Sequence, residues 1–215
     1  MHRRRVLHLG AAALPVALAG CASSGGPSGS GGTESPTATP TPSPTPTPAG
    51  TPIGVVSTDD QPDVPVEYGA TMVEPLATDE HPARLGVTIR NPTDSAVVLG
   101  EERAVQFHHV TSEDGALYLL PAGSRAEEFA EPGCWRLTEG VAVATYYGTL
   151  AVPAGESVSA ESYVLGSDDL PEGACLPTGE HRVVTRGRAA ASEEPILGGG
   201  DDATEFEWGF TLRVG

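Results

Sequence analysis

Glu-Phe-Glu-Trp-Gly-Phe-Thr-Leu-Arg-Val, residues 205–214, is the stretch that decides the fold. Apolar residues occupy every second position from Phe206 to Val214, and charged residues, threonine or glycine fill the positions between them. Because successive side chains of a β-strand point to opposite faces, this pattern predicts a strand with one buried face. Residues 83–90 alternate in the same way, so a second half-buried strand is expected there.

Short apolar or β-branched segments separated by turn residues continue along the chain. Their spacing of about 8 to 15 residues predicts an all-β domain, an antiparallel immunoglobulin-like sandwich of about seven to nine strands. The only candidate helix, residues 124–131, is limited to a turn or two by the Pro-Gly pair that follows it. The strand segments are 64–73, 83–90, 96–99, 105–111, 117–120, 141–147, 150–152, 157–165, 181–185 and 206–214.

Four stretches of this domain carry a resemblance to a known family. Residues 87–93 end a strand in an Asn-x-Thr turn, and residues 105–115 lead to an Asp-Gly tip. Residues 152–156 and 176–183 each contain a Pro-x-Gly turn that opens a strand. These features resemble the sandwich domains grouped with the intracellular proteinase inhibitor of bacilli. The resemblance implies a sandwich fold and offers hydrolase inhibition as one function.

The N-terminus has the features of an export signal. Three arginines, including Arg3 and Arg4, precede an apolar run from Val6 to Ala19 that is too short to span a bilayer. The arginines and the two apolar residues after them resemble the twin-arginine export motif. The run ends in Leu-Ala-Gly before Cys21, which resembles the lipobox of prokaryotic lipoproteins. We therefore expect a signal peptide over residues 1–20 and a lipid on Cys21, with an ordinary secretory leader as the alternative.

A linker rich in Ser, Gly, Thr and Pro follows, and we assign it to residues 21–62. Thr-Pro repeats favour extended polyproline II, so residues 36–52 would reach roughly 50 Å. Such a composition cannot bury a core, and the segment is expected to be a disordered stalk. The sandwich domain is then expected over residues 63–215.

The charge balance is strongly acidic. The chain has 29 Asp and Glu against 12 Arg and no Lys, and three of the arginines lie in the leader. Nucleic acid is therefore an unsuitable partner, because binding it requires a basic surface. The composition resembles that of haloarchaeal proteins, whose carboxylates are screened by concentrated salt. An acidic extracellular protein from a GC-rich bacterium is the alternative interpretation.

The cysteines and histidines indicate structure rather than catalysis. With Cys21 assigned to the anchor, Cys134 and Cys175 are expected to form a disulfide in an oxidising compartment; a reactive or metal-binding thiol is the alternative. The adjacent His108 and His109 would point to opposite faces of a strand, so no metal site is predicted. His181 is expected in a turn, the two tryptophans in the core, and no cofactor or catalytic motif is found.

These observations favour a non-catalytic lipoprotein, held on the extracellular face of the cell membrane through Cys21, that displays an acidic interaction module. An envelope protein is the expected partner. The alternative is a secreted hydrolase inhibitor or accessory factor. An exposed apolar loop between strands would favour the inhibitor, and a flat acidic face would favour display.

Overall fold

The computed structural model describes residues 50–215, which form two antiparallel sheets packed face to face. The six-stranded sheet has the order β3-β1-β11-β10-β5-β8, and the five-stranded sheet has the order β2-β4-β9-β7-β6. The strands are β1 Thr51–Thr58, β2 Glu67–Glu74, β3 Leu76–Ala77, β4 Ala83–Arg90, β5 Val97–Gly100, β6 Val110–Thr111, β7 Leu117–Pro121, β8 Thr149–Val152, β9 Ser157–Gly166, β10 Gly179–Ala190 and β11 Thr204–Val214. The predicted all-β sandwich is confirmed, with eleven strands rather than seven to nine.

The core lies between the sheets and is built by the alternation that the sequence displays. On β11 every second side chain from Phe206 to Val214 is buried, and Trp208 has no exposed surface. Trp208 stacks on Tyr68 of β2 with ring centroids 4.9 Å apart and meets the edge of Phe107 at 5.8 Å. Aromatic pairs in these geometries add to the free energy gained by burying their area, so this cluster joins the two sheets.

Helical structure in the described residues is limited to short segments. Helix α1, Glu102–Val105, follows β5, and helix α2, Glu193–Leu197, lies between β10 and β11. A single 3₁₀ turn, Ala126–Glu128, occupies the centre of the segment where a short helix is expected. None of these helices has the length and apolar composition needed to cross a membrane.

The domain begins earlier than the sequence predicts. The linker was expected to continue to residue 62, but β1 is a strand of the six-stranded sheet and pairs with β11 from Ile53 opposite Val214 onward. Ile53 is buried in the core. The segment Ile-Gly-Val-Val is too short and too close to the Thr-Pro repeats to stand out, but β11 supplies a complete row of backbone partners for it.

Two predicted strands are also corrected. Residues 141–147 form no strand and are mostly exposed. Of residues 105–111, only β6 is a strand, because the chain turns into α1 and then passes through left-handed conformations at Phe107 and His109, with φ of 57° and 59°. The left-handed region disfavours strand geometry for residues other than glycine. Both segments contribute to the candidate site, through His109 and Val110 of one and Tyr147 of the other.

Candidate functional site

The two edges of strand β10 differ in how completely they are paired with other strands. One edge pairs with β11 without interruption, from Gly179 opposite Val214 to Ala189 opposite Thr204. The other edge pairs with β5 only at Ala189 and Ala190, the C-terminal end of the strand. Near its N-terminal end, this second edge accepts one hydrogen bond, from the Glu113 amide to the Arg182 carbonyl at 2.8 Å. Between these two points, no described strand pairs with this edge.

The gap arises because the segment that follows β5 contains seven extra residues, which loop away from β10. Continuing the register of β5 along β10 would place Gln106 opposite Arg182, but Glu113 contacts that position instead. The extra length forms α1 and the turns around it, and it starts at Glu101, which is also left-handed with φ of 61°. Left-handed non-glycine residues cost free energy and cluster at functional sites. Phe107, fully buried against Phe210 at 4.9 Å, anchors the looped-out segment in the core.

A groove of about 870 Å³ follows this unpaired edge. Residues 184–188 of β10 and residues 205–207 of β11 form one side. Ala104 of α1, His109 and Val110 form the opposite side, and Glu101 and Tyr147 complete the lining. This volume lies in the range that proteins use to bind ligands.

Unpaired backbone groups of β10 face the groove. Successive residues of a paired strand direct their N–H and C=O groups to alternate edges, and Arg182 directs its carbonyl away from β11 to Glu113. Val184 and Arg186, two and four residues further on, therefore present their backbone groups to the same edge. Within residues 50–215, these groups of Val184 and Arg186 make no hydrogen bond. A strand edge in this state is a template for pairing with another chain.

The rim of the groove is acidic. Arg186 pairs with Glu207 at 2.7 Å, and Arg188 donates hydrogen bonds to the carbonyls of Ile196 and Gly200. Arg186 is therefore neutralised by Glu207, whereas Arg188 keeps its positive charge and lies opposite Glu205 in the β10–β11 register. The carboxylates of Glu101 and Glu205, both exposed, form no ion pair with any described residue, and the glutamates of the lining outnumber its arginines, so the groove carries a net negative charge.

His109 contributes little positive charge to this wall. Its Nδ1 lies 2.9 Å from the Tyr118 hydroxyl. Burial, with the nearby His108 and Arg103, lowers the pKa of His109 below its ordinary value, so the imidazole is neutral at pH 7. The groove therefore keeps its acidic character at neutral pH.

An exposed apolar loop lies at the end of the groove. Residues 141–147, which we call the tyrosine loop, leave Tyr146 55% exposed and Tyr147 42% exposed. Arg103 of α1 holds the loop: its Nη2 donates to the Ala144 carbonyl at 2.7 Å, and its guanidinium lies 4.5 Å from the centre of the Tyr146 ring. Hydrogen bonding and cation–π attraction thus support an apolar surface that faces solvent.

A Ser-Asp-His cluster lies beside the closed end of the groove. Ser112 donates to Oδ1 of Asp114 at 2.6 Å, and Nδ1 of the buried His181 donates to Oδ2 at 2.7 Å. Nε2 of His181 lies 3.1 Å from the Pro177 carbonyl, which can only accept. In a nucleophilic triad the histidine would accept from the serine. Here both groups bond the same carboxylate, so the cluster fastens the β6–β7 turn to β10.

The cluster also lowers the pKa of Asp114. Burial acts to raise it, but hydrogen bonds from Ser112, His181 and the Ala116 amide together outweigh burial. His181 was expected in a turn; it is instead a buried residue of β10, with Nδ1 bonded to Asp114 and Nε2 close to the Pro177 carbonyl.

The predicted site residues fall into two groups. Arg3, Arg4 and Cys21 lie outside the described residues. Cys134 and Cys175 lie at disulfide distance, with Cα atoms 4.8 Å apart. The described part of the chain contains no group of three or more His, Cys, Asp or Glu side chains placed to hold a metal ion.

The groove and the tyrosine loop were not identified from the sequence. The groove depends on a register between distant strands, for which the sequence carries no local signal. The loop had one usable signal, since residues 141–147 lie between Gly140 and Gly148 and lack the polar alternation of a half-buried strand. Comparison with protein families, with curated proteins and with solved structures found no match to this chain.

Proposed function

We propose that this protein is a non-catalytic cell-surface lipoprotein whose acidic β-sandwich captures another component of the envelope. The observation that supports this proposal best is the groove along β10, where unpaired backbone groups occur together with two carboxylates that form no ion pair with any described residue, Glu101 and Glu205. Interaction sites commonly combine a concave surface with a few convergent polar groups. The acidic field of the domain would steer a cationic surface of the partner toward the groove.

The capture proposal is tested by photo-crosslinking in intact cells that carry the full-length protein. A photoreactive amino acid replaces Glu205, on the groove, or Thr88, on the exposed face of the five-stranded sheet. We expect a discrete crosslinked product from position 205 and none from position 88. Equal labelling from the two positions, or no product from position 205, would contradict a binding role for the groove.

The membrane anchor belongs to the same proposal and has its own test. Export through Arg3 and Arg4 would be followed by lipid attachment to Cys21, as the two motif resemblances imply. Cys21→Ser should release the protein into the medium, whereas Ser23→Ala should leave it in the membrane fraction. Detergent-dependent retention of Cys21→Ser would overturn the anchor.

The acidic composition supports a concentrated salt medium as the working environment. Residues 50–215 contain all the acids except Glu34, so many carboxylates repel one another in dilute buffer. We expect the thermal midpoint to rise steeply between about 0.1 M and about 3 M KCl. A midpoint that stays flat over this range would favour the GC-rich bacterial interpretation instead.

Hydrolase inhibition is the second candidate, and the tyrosine loop is the observation that favours it. An inhibitory loop needs exposed side chains on a supported backbone, and Arg103 provides that support through the Ala144 and Tyr146 carbonyls. The test measures inhibition of serine, cysteine and metalloproteases with fluorogenic substrates. If the loop inhibits one of them, Tyr146→Ala should raise the inhibition constant at least tenfold, and Val73→Ala, an exposed apolar control, should not. Equal effects of the two substitutions, or no inhibition of any protease, would reject this function.

A further inference from the structure

The groove restricts what can occupy it, because part of its surface is main chain. Val184 and Arg186 present N–H and C=O groups at alternate residues of a strand, the spacing with which an extended backbone pairs. A compact ligand would satisfy one or two of these groups, whereas an extended peptide would satisfy all of them. Strand addition to an exposed sheet edge is a general mode of peptide recognition.

The size of the unpaired edge suits a short segment. From Arg182, which bonds Glu113, to Ala189, which pairs with β5, the edge spans seven residue steps, or roughly 23 Å at about 3.3 Å per residue. An added strand of about six residues would therefore fill the interval between the two points where β10 already has a partner. The segment from Glu101 to His109 makes no backbone hydrogen bond to β10 in this interval, although α1 and β6 pack beside the strand.

The surroundings of the edge select the charge of the segment. Glu101 and Glu205 lie on the groove with no ion partner among the described residues, and Glu207 is paired with Arg186. Arg188 is the one cation of the described lining outside an ion pair, so the lining is acidic overall. Residues 50–215 carry 28 acids and nine arginines, so the field around the groove is negative. Alternate residues of an added strand point to opposite faces, and basic residues on one face would meet the free carboxylates.

We propose that the open edge of β10 binds an extended, basic segment of a partner protein by β-strand addition. This inference rests on the proposed capture function and specifies its mode. The segment pairs its backbone with Val184 and Arg186, places basic side chains toward Glu101 and Glu205, and packs its other face against Ala104 and Val110.

The probe is a synthetic peptide, acetyl-Lys-Val-Lys-Thr-Lys-Val-Lys-amide, and its affinity for the full-length protein is measured. Two comparison peptides accompany it: one with Glu in place of Lys, and one N-methylated at every residue. N-methylation keeps the charge and removes the amide donors. We expect at least a tenfold loss of affinity for the Glu and N-methylated peptides. Amide hydrogen exchange at Val184 and Arg186 should slow when the Lys peptide binds.

Two substitutions at one position separate main-chain pairing from side-chain contact. Arg186→Pro removes the N–H that faces the groove and leaves the β10–β11 ladder intact, since proline is tolerated on a strand edge. Arg186→Ala keeps that N–H and removes the charge. Affinity for the Lys peptide should fall at least tenfold in Arg186→Pro, whereas Arg186→Ala frees Glu207 from its ion pair and should bind the peptide at least as tightly as the unsubstituted protein.

Strand addition is overturned if the N-methylated peptide binds as well as its parent, or if exchange at Val184 and Arg186 does not change. Those two measurements use the unsubstituted protein, so they decide the question even if Arg186→Pro fails to fold. If crosslinking from position 205 persists while they fail, the capture function stands and this binding mode is wrong. If the peptides behave as expected but no crosslink forms in cells, the edge binds strands and the cellular role is wrong.

Discussion

The two edges of β10 are made by one strand and have opposite roles. Toward β11, every residue from Gly179 to Ala189 has a partner, and the buried side chains meet the aromatic cluster around Trp208. Toward β5, the partner chain leaves after Gly100 and returns at Glu113. The difference does not come from β10, whose alternation is uniform along its length. It comes from the segments on either side of β10. Along one edge β11 continues as a strand, whereas along the other the segment after β5 loops out.

The largest effect that tests this comparison is expected on the paired edge. Trp208→Ala removes a fully buried indole between the sheets and should lower the free energy of unfolding by about 3 to 5 kcal/mol. Val184→Ala, at a half-buried position on the groove, should cost less than about 1 kcal/mol. Urea unfolding followed by tryptophan fluorescence and circular dichroism measures both. Similar costs at the two positions would mean that the open edge contributes to stability as much as the paired one.

An intermediate effect is expected where the open edge closes. Asp114→Asn replaces one of the two acceptor oxygens with an NH₂ group, so Ser112 and His181 can no longer both donate to this side chain. The expected loss is about 1 to 3 kcal/mol in the free energy of unfolding near pH 7. Asp201→Asn, at an exposed turn, serves as the control and should change stability by less than about 0.5 kcal/mol. Equal stability of the two variants would show that the cluster does not fasten β10.

The same cluster predicts a pH dependence. The folded-state pKa of Asp114 is lowered, so its ionised form stabilises the fold. That contribution is complete above the unfolded-state pKa of about 3.9 and is lost as the pH falls through the lower folded-state pKa. Asp114→Asn should therefore flatten the acid limb of stability below about pH 4. An unchanged acid limb, measured by urea unfolding from pH 2 to 7, would contradict the assignment.

The smallest effect on stability is expected for an ion pair between Arg182 of β10 and Asp59. Arg182 donates two hydrogen bonds to Asp59, at 2.8 and 2.7 Å, and these bonds lower the pKa of Asp59 although its burial opposes this. Both side chains are about one third exposed, so solvent screens the pair, and Arg182→Ala should cost at most about 1 kcal/mol. Arg125→Ala, at a more exposed pair with Glu128, should cost less. Thermal unfolding at low and high salt measures both, and a larger loss for Arg125→Ala would reverse the ranking.

The candidate site was less predictable than the fold, and particular residues show why. The 206–214 alternation and the core position of Trp208 followed from a period of two, which needs only neighbouring residues. Phe107 looks like part of a strand in sequence, yet its left-handed backbone turns the chain away from β10. Residues 141–147 have the composition of a strand, but Arg103 holds them at the surface. The last two outcomes depend on a partner far away in the chain, which is Phe210 for Phe107 and Arg103 for residues 141–147.

By itself, the sequence determined that this chain forms an all-β sandwich with an acidic surface. Alternating burial is a local property, and net charge is a sum that does not depend on arrangement. Only the tertiary structure decided that β1 belongs to the sheet, that Asp114 meets His181, and that one edge of β10 lies open. Strand pairing sets these features, because the free energy of each register depends on side chains and backbone groups from separate segments acting together.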